Sequence, residues 1–345
     1  MGKTSTVTIK DVARRAGVSI ATVSYVLNKS APIRDETRAR VLDAAAELGY
    51  RPSAIARGLR ARESRTIGYS WHGVPADHWH PVLDRFLYSM AEAAEAQGYH
   101  ILTFTHPPQA EPWLPYEELM LTGRVDGFVL SDTIKDDERV RYLLDSGFPF
   151  VAFGRANEEW DFSYVDVDGE VGVRQAVEHL LALGHRRVGL IAWPEISLTG
   201  YYRHRGYVKA LQAAGISPDP AWIVRTEHTE ASGRQAAHTL LKLPSSRRPT
   251  AVVALSDLMA IGAMNAIYEA GLQPGRDVAV IGFDDIPTAQ YLRPPLTSVR
   301  QPITEVGTRV VNMLLRLIQG EEPTEQKVLL SPTLIVRDSS EETAA

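Results

Sequence analysis

The 345-residue sequence contains no cysteine. That excludes disulfides, cysteine-ligated zinc and thiol catalysis, and it points to a reducing compartment. No apolar run reaches the length of about 18 residues that a membrane span needs, and no secretory leader stands near Met1. Familiar chemical signatures are missing too: no GxGxxG follows the first strand-like segment, and Walker, HExxH and GxSxG patterns are absent. What remains is an ordinary composition for a soluble globular chain, 44% hydrophobic and 23% charged. The length suggests about two or three domains. A cytoplasmic protein without cofactor or resident metal is expected.

The net charge of −5 is unevenly spread. Residues 1–65 carry 13 Lys and Arg against 6 Asp and Glu, a net +7, which leaves the remainder at −12. A basic head on an acidic body is the footprint of a polyanion-binding module attached to something else.

Within the head, Thr8-Ile9-Lys10-Asp11 reads as a capping box opening a first helix, with Val12, Ala13 and Ala16 as its apolar face. Gly17-Val18 breaks that helix, because glycine readily takes the positive φ such turns need. Ser19 can cap a second helix whose buried stripe is Val23, Val26 and Leu27. Two short helices joined this way lay the second into a DNA major groove. Ile20, Ala21 and Tyr25 would then face the bases, with Thr22, Ser24 and Asn28 beside them on phosphates. A third helix is predicted from Asp35 to Leu48, its core face formed by Val41, Leu42, Ala45 and Leu48. The next segment, Arg51 to Arg60, reads as a short helix weakened by Gly58, at a cost of about 1 kcal/mol. A helix this short would order only when docked.

From Thr66 onward, strands alternate with helices. Thr66–Ser70, His100–Thr105, Gly127–Leu130 and Phe150–Phe153 form one strand series, and Val188–Ala192, Ile223–Arg225, Ala251–Leu255 and Val278–Phe283 a second. The clearest intervening helices are Pro81–Gln97, Asp136–Asp145, Val171–Leu183, Arg205–Ala214, Ser232–Leu241 and Leu258–Ala270. This alternation predicts two α/β units with parallel sheets, and a cleft beyond the strands' carboxyl ends. Asp284-Asp285 has the composition of a catalytic pair, but adjacent loop residues usually point apart. The stretch Trp71-His72…Asp77-His78-Trp79-His80 is rich in rings. Asp77, His78 and His80 have the residue types of a metal site, although a stacking surface for a sugar suits the aromatic content better.

The run TIKDVARRAGVSIATVSYVLN (Thr8–Asn28), Thr37-Arg38 and Leu48-Gly49-Tyr50-Arg51-Pro52 resemble the headpiece of the lactose/galactose repressor family. The likeness extends along nearly the whole chain to Leu334-Ile335-Val336-Arg337. It implies an all-α helix-turn-helix headpiece on an α/β, periplasmic-binding-protein-like core of two parallel-sheet subdomains. It also implies a homodimer on a pseudo-palindromic double-stranded DNA operator, with hinge helices in the minor groove. The DNA-contacting set would be Ser19, Ile20, Ala21, Thr22, Ser24, Tyr25, Asn28, Thr37, Tyr50, Ser53, Ala56 and Leu59. Leu59 matches the leucine that wedges between base pairs. Tyr25 replaces the arginine common at its position, so that base preference should differ.

The same resemblance implies effector contacts from His72, Trp79, Arg155, Tyr164, Trp193, Arg203, His228, Ser256, Asp284 and Gln301. Arginine forks and carboxylates suit vicinal hydroxyls, and aromatic faces suit a pyranose, so a small sugar is expected. Ser256-Asp257 replaces the usual Asn-Asp and should lose an effector contact. The predicted organisation is a headpiece over residues 1–51, a hinge over 52–64 and a core over 65–338. The core divides into a first subdomain (about 65–163 and 301–330) and a second (about 164–300 and 331–338), and a flexible tail occupies 339–345. The expected activity is transcriptional repression controlled allosterically by the effector, not catalysis. A corepressor-type regulator of purine or sugar phosphate, or a solute-binding module without regulatory DNA binding, would share much of this pattern.

Overall fold

The computed structural model describes residues 7–28, 31–50, 63–71, 80–105 and 110–341. The chain forms two compact units, residues 1–64 and 65–345. The expected hinge positions Ser53, Ala56, Gly58 and Leu59, and the effector candidates His72 and Trp79, lie outside the described residues, as do Asp77 and His78.

In the first unit, α1 (Ile9–Ala16) begins at Thr8, whose backbone N–H and hydroxyl both donate to Asp11 Oδ2, at 3.0 and 2.7 Å. Gly17 ends it at φ 66°, the left-handed conformation that a side chain opposes. In α2 (Ile20–Asn28), Thr22 N–H donates to Ser19 Oγ at 3.1 Å, which satisfies one of the helix's open donors. α3 (Asp35–Glu47) closes a small core of Val12, Ala13, Ala16, Val23, Val26, Val41, Ala44 and Ala45. Leu42, expected in that core, is 48% exposed. The buried stripe runs through Val41, Ala44 and Ala45 instead, with Leu48 half-buried at its end.

The second unit contains two six-stranded sheets. In the first, β1 (Thr66–Ser70), α4 (Pro81–Ala96), β2 (His100–Phe104), α5 (Leu114–Leu121), β3 (Gly127–Leu130), α6 (Glu138–Ser146), β4 (Phe150–Phe153) and β5 (Tyr164–Val167) follow in order. The second is built from α7 (Gly169–Ala182), β6 (Val188–Ala192), α8 (Leu198–Ala213), β7 (Ile223–Arg225), α9 (Glu230–Leu241), β8 (Ala251–Ala254), α10 (Asp257–Glu269), β9 (Ala279–Asp284) and β10 (Thr297–Arg300). The chain then returns through α11 (Ile303–Ile318) and β11 (Lys327–Leu330) to the first sheet, and β12 (Thr333–Ile335) closes the second. The strand orders are β11-β5-β4-β3-β1-β2 and β12-β10-β9-β8-β6-β7; the first sheet is all parallel, and only β12 runs antiparallel in the second.

Both faces of each sheet are covered, which explains the continuous apolar runs. Val129 and Val151 pack on one side with Phe86 and Met90 of α4 and Val310 and Leu314 of α11. Phe128, Leu130 and Ala152 pack on the other with Leu119 and Leu143. The second sheet repeats the plan, with Val253 and Ile281 toward α7 and α8, and Val252 and Val280 toward α9 and α10.

Three boundaries differ from expectation. Tyr164–Val167 belongs to the first sheet, paired with β4 and β11, so the first crossover follows Val167 instead of preceding Tyr164. α8 starts seven residues before Arg205, because Ser197 Oγ accepts from Gly200 N–H at 3.1 Å and caps it there. The expected flexible tail is anchored at its start. Ser339 and Ser340 are buried, Ser339 Oγ donates to Val280 O at 2.6 Å, and Ser340 Oγ pairs with Thr297 Oγ1 at 2.7 Å.

Candidate effector cavity and DNA-reading surface

A cavity of about 70 Å3 lies between the two sheets of the core, beyond the carboxyl ends of their strands. Its wall includes His80, Asp132, Thr133, Phe153 and Asp166 from the first half, and Trp193, Thr199, Arg203, His228, Asp284 and Gln301 from the second half and its crossover. Arg203 is central to it. Inside α8 and only 4% exposed, its guanidinium lies 3.6 Å from the Phe283 ring centroid and 4.9 Å from that of Trp193. Nη1 donates to Leu255 O at 2.5 Å. Burial lowers its pKa to about 10, against the pull of Asp284, Asp166 and Asp257, so it remains a cation at neutral pH.

Asp284 ends β9 with φ 125°, and Asp285 follows with φ 50°. Two successive non-glycine residues at positive φ store strain of about 1–3 kcal/mol each, the kind of outlier that clusters at ligand sites. Gln301 Nε2 donates to Asp284 Oδ1 at 2.7 Å. Burial pushes the Asp284 carboxyl up to about 6, with Arg203 and His80 opposing. Behind it, Asp257 is fully buried, accepting from Ser298 Oγ at 2.5 Å and Ile286 N–H at 2.8 Å. Burial and the adjacent Asp284 carboxylate raise Asp257 to about 8.

Three buried nitrogens of the wall have no hydrogen-bond partner among the described residues: the donors Arg203 Nε and Trp193 Nε1, and His80 Nδ1. The His228 ring bridges this cluster, 5.1 Å from both the His80 and the Trp193 ring centroids. Unsatisfied buried polar atoms are costly and uncommon in native proteins, so their convergence on one cavity has a chemical meaning.

The structure brings Trp193, Arg203, His228, Asp284 and Gln301 together on this wall and leaves three other candidates off it. Ser256 is fully buried as the N-cap of α10, its Oγ accepting from Met259 N–H at 3.3 Å. Arg155 donates from Nε to Asp166 Oδ2 at 2.7 Å and lies 3.4 Å from the Tyr202 ring centroid. Tyr164 packs its ring against Phe162. Sequence reasoning missed Asp132, Thr133, Phe153, Asp166 and Thr199. The first four end strands or follow them closely, which is the one signal that could have found them.

On the headpiece, Ile20 and Tyr25 are 41% and 47% exposed, and Ala21 is exposed beside them on α2. Ser19 is exposed and Thr22 half-buried, their hydroxyls paired at 2.9 Å. Thr37 and Tyr50 are half-buried. Ser24 is buried at 6% exposure, so its hydroxyl does not stand on the exposed surface expected of a phosphate contact. Among the described residues no helix is long and apolar enough to cross a membrane, and no cluster of His, Asp and Glu could hold a metal ion.

A helix-turn-helix unit followed in the chain by a two-sheet core defines a DNA-binding regulator with a periplasmic-binding-protein-like body. Residues 8–53 match the model for bacterial regulatory proteins of the lacI family, and residues 177–340 match a periplasmic binding protein-like domain. The HTH-type transcriptional repressor PurR of Edwardsiella ictaluri (strain 93-146) is 34% identical over 334 residues, 96% of each chain. Among solved structures, the Lac repressor dimer bound to operator and the anti-inducer ONPF gives a TM-score of 0.85 at 29% identity, covering 96% of this chain and 98% of that one. A CelR–cellobiose complex gives 0.72 at 33% identity, covering 96% and 99%. The chain belongs to the lacI family of DNA-binding transcriptional repressors, which are regulators and not enzymes.

Proposed function

We propose that this repressor binds a small neutral carbohydrate in the cavity around Arg203 and Asp284, and that the sugar controls its hold on a pseudo-palindromic operator as a homodimer. The carrying observation is the set of unpartnered buried nitrogens, the donors Arg203 Nε and Trp193 Nε1 together with His80 Nδ1, which share one small cavity with Asp284. Such a wall wants a ligand rich in oxygen acceptors that can also donate to Asp284, which describes vicinal hydroxyls. The rings of Trp193, Phe153 and His228 supply apolar faces. Charge argues against a sugar phosphate: among the described wall residues Arg203 is the single Arg or Lys, beside Asp132, Asp166 and Asp284. The cellobiose bound to CelR is consistent with this chemistry.

Ligand closure of the two halves would alter operator affinity, and coupling of this kind is reciprocal. Ile20, Ala21 and Tyr25 would read bases, while Ser19, Thr22, Asn28, Thr37, Tyr50 and Ser53 position the headpiece and Ala56 and Leu59 enter the minor groove.

A thermal-shift screen of mono- and disaccharides, nucleosides, purines and sugar phosphates tests the reading. A ligand about 100-fold above its Kd stabilises by roughly 2.7 kcal/mol. A neutral sugar is expected to score, and Arg203→Met to remove its shift. A purine as the sole hit would overturn the sugar assignment. Footprinting that shows no protected palindrome at physiological salt would overturn operator control.

A further inference from the structure

Besides the cavity around Arg203, the core carries a second, larger one of about 340 Å3, lined by Arg85, Asp285, Gln290, Arg300 and Arg337 among others. Three chain segments serve both cavities. Leu83 of α4 faces the first and Arg85 the second; Asp284 faces the first and Asp285 the second; Gln301 faces the first and Arg300 the second. The consecutive positive φ values at Asp284 and Asp285 send the two carboxylates to different cavities.

The charge of the two walls is opposite. The second has three guanidinium groups and one carboxylate. Both oxygens of that carboxylate are engaged: Asp285 Oδ2 accepts from Arg300 Nε at 2.6 Å, and Oδ1 accepts from Arg337 Nη2 at 2.7 Å. Arg337 Nη1 is used as well, donating to Leu296 O at 2.6 Å. The two Nη groups of Arg300 and the whole guanidinium of Arg85 remain, since no hydrogen bond or ion pair joins either to a described residue. Guanidinium groups are cations at neutral pH, and their planar forks match the oxygens of an oxyanion in pairs. Like charges gathered in a concavity repel one another until an anion enters.

We propose that this cavity is a second ligand site, which binds a phosphate group through Arg85 and Arg300 while Asp285 holds Arg300 and Arg337 in place. Free phosphate ion and a phosphorylated metabolite present the same chemistry to these side chains. The site is independent of the ligand assigned to the cavity around Arg203.

Isothermal titration calorimetry of the full-length protein with inorganic phosphate, at neutral pH and with ionic strength held constant by sodium chloride, tests it. Ribose 5-phosphate and ribose are run alongside. Saturable binding of inorganic phosphate is expected, weakened about tenfold or more by Arg85→Ala, the loss anticipated for charge-assisted hydrogen bonds. Arg85 is exposed, so that substitution leaves the fold alone. Arg300→Ala should act in the same direction. Ribose 5-phosphate binding that Arg85→Ala weakens, in the absence of a phosphate response, would support the site and assign it to a metabolite. Ribose 5-phosphate binding that is no tighter than that of ribose and is unaffected by Arg85→Ala would overturn the proposal. So would an absence of heat beyond the chloride control with both anions, or anion binding that survives Arg85→Ala and disappears in Asp284→Asn.

Discussion

Lowering the pH from 7 to 5 should weaken sugar binding about tenfold, because the Asp284 carboxylate that accepts the ligand's hydroxyls becomes protonated in that window. Its pKa in the free protein is raised to about 6, burial outweighing the attraction of Arg203 and His80. A hydroxyl donating to the carboxylate favours the ionised form, so apparent affinity follows the ionised fraction. That fraction is roughly nine-tenths at pH 7, one half at pH 6 and one-tenth at pH 5, and a tenfold change corresponds to about 1.4 kcal/mol. The assay is calorimetry with the best sugar of the screen between pH 5 and 8. Asp284→Asn should bind more weakly at every pH and lose the tenfold fall. The rest of the wall is unchanged in that variant, so it isolates the contribution of Asp284. A flat wild-type profile, or the same slope in Asp284→Asn, would refute the assignment of Asp284 as an ionised acceptor.

Asp257 makes a stability prediction of definite sign. Because its folded pKa is raised, the folded state holds a proton that the unfolded chain has released between roughly pH 4 and 8. That contribution is full below the unfolded value and is lost as pH rises through about 8, so Tm should decline across pH 5–8, and less steeply in Asp257→Asn. Gly206→Ala tests the packing of α7 against α8: a Cβ there would lie 2.2 Å from Glu170 O, a backbone atom that cannot step aside. A loss of about 1–3 kcal/mol in urea unfolding is expected, together with weaker sugar binding, since Arg203 lies one turn away on the same helix. At Gly17 no atom lies within 4 Å of an added Cβ, so the cost of Gly17→Ala is conformational alone. About 1–2 kcal/mol is expected, read as reduced operator affinity in a mobility-shift titration, with Gly17→Asn affected less because asparagine tolerates that conformation.

What the sequence disclosed depended on how local each cause was. Thr8, Gly17 and Ser19 act within three residues of themselves, so the headpiece could be read from caps and a turn. Leu42 reads as core because it adjoins Val41, and a helix of this length leaves the edge of its apolar stripe undetermined until neighbours pack on it. The strands buried on both faces announced themselves as apolar runs. β5 and β10 did not, because Asp166, Thr297 and Ser298 break the run, and what buries those polar residues comes from far away: Arg155 on Asp166, and Ser339 on Thr297. The site shows the same division. Arg203 and Asp284 are visible through their motifs, yet the apolar spacing alone starts the helix after Arg203, and the cap that extends it is the single hydroxyl of Ser197. Ser256 reads as a cavity residue by position, but its hydroxyl caps α10, a role every serine at a helix start can take. Asp284 and Asp285 show this division most sharply. Adjacent in sequence, they look like one acidic pair, and nothing in their identity reports the two positive φ angles that separate them. That turn gives one carboxylate to a cavity whose wall is predominantly acidic and the other to a cavity rich in arginine. The ligand chemistry of each cavity therefore follows from backbone conformation as much as from residue type.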